Sequence, residues 1–136
     1  MEMTLDLAKK LVKAGVKEAG KNGVSCSIAV VDDNGWLVAL HRMDGALIPT
    51  ADIANDKAWT AAVFKMPSSE VSRFGSPSSP GAGFNTQNWN DRLTTIPGGL
   101  PVEVDGEVIG GVGVSGGTTE QDVSLCRAIL DSIKNS

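Results

Sequence analysis

Apolar residues recur every three or four positions at the start of the chain: Leu5, Ala8, Leu11, Val12, Gly15, Val16 and Ala19. Lys9, Lys10, Lys13 and Lys17 fill the other faces. That period predicts an amphipathic helix, which Gly20, Asn22 and Gly23 end. The pattern then changes. Residues 25–31 are β-branched and apolar and predict a strand. Asp32-Asp33-Asn34-Gly35 closes on Asn-Gly, a hairpin signal, so 36–42 is the returning strand. Met43-Asp44-Gly45-Ala46 breaks it.

Pro49-Thr50-Ala51-Asp52 opens a second helix, with Thr50 as N-cap and Asp52 favourable in the first turn. It runs to about Lys65. Ala51, Ala54, Ala58, Ala61 and Ala62 make it rich in small residues, which let a neighbouring backbone come close. Pro67-Ser68-Ser69-Glu70 predicts a short third helix. Residues 75–83, GSPSSPGAG, have no periodicity and read as a mobile loop within the domain. Thr94-Thr95-Ile96 reads as a short edge strand. Residues 102–104 and 107–114 flank Asp105-Gly106, a second hairpin. Thr118 and Gln121 fit a capping box. Val123, Cys126, Ile129, Leu130 and Ile133 form the apolar stripe of a last helix.

The order is α-β-β-α-(α)-β-β-β-α, without internal repeats. Both clear strand pairs are hairpins, so the sheet is mainly antiparallel and helices cover it. The fold class is α/β of the α+β type. A length of 136 residues fits a single domain over 1–136.

Composition excludes several function classes. Apolar content of 41% and charged content of 21% describe an ordinary globule. The net charge is −4 and no Lys/Arg cluster stands out, which argues against a nucleic-acid partner. The apolar runs fall short of a membrane span. The opening MEMTLDLAKKLVKAG lacks the organisation of a signal peptide and points to the cytoplasm. There is one histidine and no CxxC or HxxxH spacing, so no zinc site is expected. Cys26 alternates with Ile28 and Val30, and Cys126 lies on the last helix's stripe. Both read as core.

Gly111-x-Gly113-x-x-Gly116 matches a dinucleotide-binding fingerprint, but its context is wrong. Gly111 and Gly113 lie inside the apolar run 108–114, which is itself the strand. Only the twenty residues 117–136 follow Gly116, enough for one helix.

Three blocks carry a family resemblance. Ala29-Val30-Val31-Asp32 with Gly35, then Arg42-Met43-Asp44-Gly45-Ala46, resemble the first block of the GlcG/HbpS-like family. Lys57-Ala58-Trp59-Thr60-Ala61-Ala62 resembles the second. Pro97-Gly98-Gly99-Leu100-Pro101-Val102, Val108-Ile109-Gly110 and Gly113-Val114-Ser115-Gly116-Gly117-Thr118 with Glu120-Gln121-Asp122 resemble the third. The resemblance runs in order over nearly the whole chain. It implies a five-stranded antiparallel sheet packed as a homodimer or larger homo-oligomer. It does not imply one chemistry. The family includes a secreted haem-binding sensor component and a haem-binding C-terminal domain of a cobalamin-related adenosyltransferase. It also includes proteins encoded beside glycolate or glycerol metabolism, and a relative that looks like a lyase on a hydroxylamino-aromatic acid.

Each candidate site residue has two readings. His41 is the only imidazole, a candidate haem axial ligand or general base. Alternation places it with Leu37, Ala39 and Met43, opposite Trp36, Val38 and Leu40, where a surface or half-buried strand histidine is the plainer reading. Arg42 and Asp44 flank the turn after the second strand. The guanidinium fork suits a carboxylate, or it pairs with Asp44 to fix the turn. Lys57 falls in the small apolar stripe between Ile53 and Ala61. The expectation is that it snorkels to the surface. Pointing inward, it would meet a carboxylate or form an imine.

Ser115, Gly116, Gly117 and Thr118 present N–H groups and hydroxyls at a helix start, where an anion is favoured; capping by Thr118 and Gln121 is the plainer reading. Gly98 and Gly99 allow close approach of a ligand or of backbone, or form a simple turn. Glu120 and Asp122 stand where the helix dipole places acids, so no catalysis is assigned to them. Trp59 and Trp89 are large apolar anchors, and Trp59 suits a subunit interface.

The resemblance favours a cytosolic binding protein for a small anionic ligand; the residues alone do not choose between that and an enzyme. That ligand is haem, another tetrapyrrole or a small carboxylate. Lys57, Arg42 and residues 115–118 would meet its acid groups, and the 75–83 loop would close over it. One alternative is a cofactor-independent, lyase-like enzyme on a small carboxylate or aromatic acid, with Lys57, Asp44 or His41 moving the proton. The other is an accessory subunit whose oligomer is the point.

Overall fold

The computed structural model describes residues 1–75 and 90–134. Helix α1 (Leu5–Lys21) is capped by Thr4, whose Oγ1 accepts the Leu7 N–H at 3.1 Å. It buries Ala8, Leu11, Val12, Gly15 and Ala19, the expected stripe. The hairpin β1 (Ser27–Asp32) and β2 (Leu37–Arg42) follows, then α2 (Thr50–Phe64). A 3-10 helix over Ser68–Gly75 stands where the short third helix was expected. The second hairpin joins β3 (Gly99–Val104) to β4 (Glu107–Ser115), and α3 (Thr119–Lys134) ends the order.

The strands form one antiparallel sheet in the order β2-β1-β4-β3. Ile28, Val30, Val102, Val112 and Val114 point to one face and pack with Leu11 and Val12 of α1 and Leu125, Cys126 and Ile129 of α3. Ala29 and Val31 point to the other face and meet Ala54, Ala58 and Ala62 of α2. Among the described residues no helix is long and apolar enough to cross a membrane.

Along β3 and β4 the α2 face of the sheet presents glycine beneath the helix. A Cβ at Gly113 would run into the carbonyl oxygen of Ala54, one at Gly111 into that of Ala58, and one at Gly99 into that of Lys57. The helix backbone therefore lies directly on the strands, which requires glycine at these positions. The fingerprint-like spacing of Gly111 and Gly113 has this packing as its cause.

Four sequence expectations need correction. The sheet has four strands among the described residues, not five. The missing one is Thr94-Thr95-Ile96. Thr94 N–H donates to Thr60 Oγ1 at 3.0 Å and Ile96 N–H to Thr94 Oγ1 at 3.2 Å. Hydroxyls thus take the N–H groups that a strand would offer to a ladder.

Thr50 is not an N-cap. Pro49 holds that position, and the Thr50 hydroxyl donates to Leu47 O at 2.6 Å and meets Ser27 Oγ at 2.9 Å. Strict alternation fails in β2, because the register with β1 shifts between Val30 and Val31. Leu37 comes opposite Val31, while Val38 and Ala39 both pack on the main core. His41 thus keeps Ala39 and Met43 on its face but not Leu37. The fourth correction concerns Lys57 and is taken up with the site. The 75–83 loop beyond Gly75, and Trp89, lie outside the described residues.

Candidate functional site

The antiparallel order brings four chain segments to one end of the sheet. Ser27 at the start of β1 pairs with Arg42 at the end of β2 and with Ser115 at the end of β4. Gly99 at the start of β3 pairs with Gly113. The turns after β2 and β4 both reach Ser25. A Cβ at Gly45 would lie 3.5 Å from Ser25 Oγ, and one at Gly116 would lie 2.6 Å from Ser25 O. Every candidate except Lys57 therefore comes to this end through a strand terminus or the turn beyond it.

Lys57 reaches the same end from α2, and it is 1% exposed. The snorkelling expectation is overturned. Its Nζ donates to Val114 O at 2.7 Å and to Asp122 Oδ2 at 3.1 Å. Gly98 makes the space. A side chain there would begin 2.8 Å from Nζ and 2.8 Å from Val114 O, and the Gly98 φ of +124° also disfavours one.

Asp122 is 3% exposed, and its other oxygen, Oδ1, accepts the Gly117 N–H at 2.9 Å. The helix dipole explained an acid at Asp122 well enough for the sequence reading to pass over it. In the fold it is the counter-ion of Lys57. The available signal was Lys57 itself, since a charge in an apolar stripe must find a partner if it is buried.

Both thiols pack around this pair. Cys126 donates to Gly98 O at 2.9 Å, and Cys26 lies 3.8 Å from Met43 Sδ. Burial is the main force pushing the Cys126 thiol up to about 12 and the Cys26 thiol up to about 11; Lys57 pulls both down and Asp122 pushes both up. A thiol that is harder to ionise in the fold than in the unfolded chain stabilises the fold fully below its ordinary value of 9.0. That stabilisation is lost as pH rises through the raised values. Urea-unfolding free energies should therefore fall from pH 9.0 toward about 12, and fall less steeply in Cys126→Ala.

The exposed members sit on the other side of the strand ends. His41, Arg42 and Asp44 line an open groove of about 520 Å³ with Val16, Leu40 and Met43. Arg42 Nη1 donates to Ala46 O at 3.2 Å, so the backbone of the turn is what it braces. The capping box is present as read: Thr118 N–H donates to Gln121 Oε1 at 2.8 Å and Gln121 N–H to Thr118 Oγ1 at 3.1 Å. The N–H groups of Gly117 and Thr118 are thus directed to α3's own side chains.

The candidates fall into two groups at one end of the fold. Lys57, Gly98, Gly99 and Ser115 are buried, while His41, Arg42, Asp44, Gly116 and Thr118 are exposed and Gly117 lies between. Arg92 is a residue the sequence reading missed. It donates to Asn55 Oδ1 at 3.1 Å and to Gly35 O at 3.3 Å, and it lies over the Trp59 ring at 5.4 Å.

A family model described as "Haem degrading protein HbpS-like" matches residues 3–131. The chain belongs to the HbpS-like family. Protein GlcG of Escherichia coli (strain K12) is 40% identical over 121 residues, 83% of this chain and 81% of that protein. The crystal structure of Klebsiella pneumoniae protein ORFY matches with a TM-score of 0.90 and 34% identity, over 100% of this chain and 94% of that one. A complex of PduOC with haem matches with a TM-score of 0.87 and 29% identity, over 97% and 95% of the two chains. The three motif blocks therefore pointed to the right family. The Lys57–Asp122 pair joins the second block of this HbpS-like chain to the third.

Proposed function

We propose that this chain is a cytoplasmic binding protein for a small anionic ligand, and that the ligand is haem or a related tetrapyrrole. The observation that carries this reading is the groove at His41. An exposed imidazole, apolar walls from Val16, Leu40 and Met43, and the Arg42 guanidinium stand together there. Haem presents the matching chemistry: an iron that takes an axial nitrogen, an apolar ring and two carboxylates. The PduOC complex with haem supports the same class of ligand.

In this reading His41 would hold the iron and Arg42 would meet a carboxylate. Gly116 and Thr118, with Ser115 and Gly117 behind them, form the polar border at the neighbouring strand end. Asp44 lines the same groove beside Arg42. Lys57, with Gly98 and Gly99 around it, acts from beneath by fixing Asp122 and the end of β4. When bound, the iron would supply ligand binding and redox chemistry that the chain's own side chains lack.

The groove is open, and Leu47 and Ile48 near its turn are 73% and 81% exposed. A second copy of the chain would cover them and narrow the site, so the reading includes a homo-oligomer. Lys57 is committed to Asp122 and Val114 and buried, which weighs against it as the proton carrier of an enzyme.

Haemin titration followed in the Soret region tests this. The expected result is a saturable shift near one haem per chain or per dimer, lost in His41→Ala and weakened in Arg42→Ala. Absorption that only adds linearly with haemin would overturn the reading and leave small carboxylates as the ligands to try.

A further inference from the structure

We propose that Cys26, Met43 and His41 form a binding site for a soft monovalent metal ion, Cu(I), at the sheet end. Met43 N–H donates to Cys26 O at 3.0 Å, so these residues stand opposite each other just beyond the last β1–β2 pair. Their side chains share a face, and Cys26 Sγ lies 3.8 Å from Met43 Sδ. Two sulfurs each bonded at about 2.3 Å lie no more than about 4.6 Å apart across one ion. The observed separation therefore fits a bent S–metal–S arrangement with room for a third ligand.

His41 is placed to be that ligand. It pairs with Ile28, two residues along the strand from Met43 and on the same face. It lines the same open groove as Met43, whereas Cys26 is fully buried and off that lining, so the ion reaches the thiol as the Met43 thioether turns aside. Thiolate and thioether sulfur with imidazole is a soft donor set, which favours Cu(I) over hard cations. Among the described residues no three His, Cys, Asp or Glu side chains converge on a possible metal position. A methionine is what makes this set possible, and its flexible thioether can turn between core and groove.

The chemistry balances without a redox step. The Cys26 thiol gives its proton to water as the S–Cu bond forms, Met43 and His41 each donate a lone pair, and copper stays Cu(I). This site shares His41 with the haem reading but does not rest on it, because the two sulfurs are its core.

The test is anaerobic transfer of Cu(I) from a chromophoric chelator such as bicinchoninate to the purified full chain. One Cu(I) per chain is expected, with a new near-ultraviolet thiolate-to-copper band. X-ray absorption should show two sulfurs and one nitrogen on the metal. Cys26→Ala and Met43→Leu should each lose the uptake, and His41→Ala should weaken it. Met43→Leu nearly conserves volume and keeps the fold intact for the comparison. The proposal fails if wild type removes no Cu(I) from the chelator or if uptake survives Met43→Leu. It also fails if Cys126→Ala abolishes uptake as fully as Cys26→Ala does. Haemin binding is read separately in the Soret region, so either site can fail while the other stands.

Discussion

Asp122→Ala is expected to lower the unfolding free energy by about 3–5 kcal/mol, the usual cost of leaving a buried charge without its partner. The size follows from how completely Lys57 is enclosed. Its Nζ has Asp122 Oδ2 at 3.1 Å and Val114 O at 2.7 Å. Removing the carboxylate leaves an ammonium against one carbonyl in a dry interior. The Gly117 N–H also loses its acceptor, since Asp122 Oδ1 holds it at 2.9 Å. Urea unfolding followed by circular dichroism measures the loss.

A double variant, Lys57→Met with Asp122→Leu, should recover most of that loss, because apolar groups of similar volume need no counter-ion. If Asp122→Ala costs less than about 1 kcal/mol, the range of an exposed pair, then the pair is not enclosed as described. Haemin titration of the same variant separates stability from function. His41 lies on β2 and Asp122 on α3, so a loss of binding would trace to the β4 end that Lys57 and Asp122 hold.

Gly113→Val is expected to cost about 3 kcal/mol, at the upper end for overpacking, and to do so by lifting α2 off the sheet. Backbone stands where the new side chain would go. The Ala54 carbonyl oxygen blocks the Cβ position, and Ala58 N is 2.7 Å from it. Neither atom can rotate away as a flexible side chain would. Gly113 lies one position before Val114, whose carbonyl receives Lys57, so the shift should also loosen the buried pair. Gly20 in α1 is the internal comparison. Nothing lies within 4 Å of a Cβ there, so Gly20→Ala should be neutral or mildly stabilising. Equal losses from both substitutions in chemical denaturation would sink the explanation by close backbone approach.

Local features were legible because their interactions span a few residues. The capping box of Thr118 and Gln121, the two hairpin turns and the α1 stripe each depend on neighbours within one or two turns of chain. Thr94-Thr95-Ile96 was misread because the competing acceptor, Thr60 Oγ1, comes from 34 residues away. Thr50 was misread for a similar reason. Its hydroxyl has an acceptor in Leu47 O and a neighbour in Ser27 Oγ, which leaves no capping role for it. The β2 face assignment failed at the bulge, since an irregular register reverses alternation without any mark in composition.

The sequence by itself determined the elements, the antiparallel hairpins, the family and the chemical types at the candidate site. Each follows from short-range periodicity, turn chemistry or ordered motif blocks. The tertiary structure alone decided which groups face one another. Lys57 and Asp122 are 65 residues apart, and nothing in their spacing selects that acid over the fifteen others. The choice was made when α2 settled on bare glycine strands and carried Lys57 to the end of β4, where α3 begins. The same placement left His41 and Arg42 on the exposed side of that end, because β2 is the edge strand.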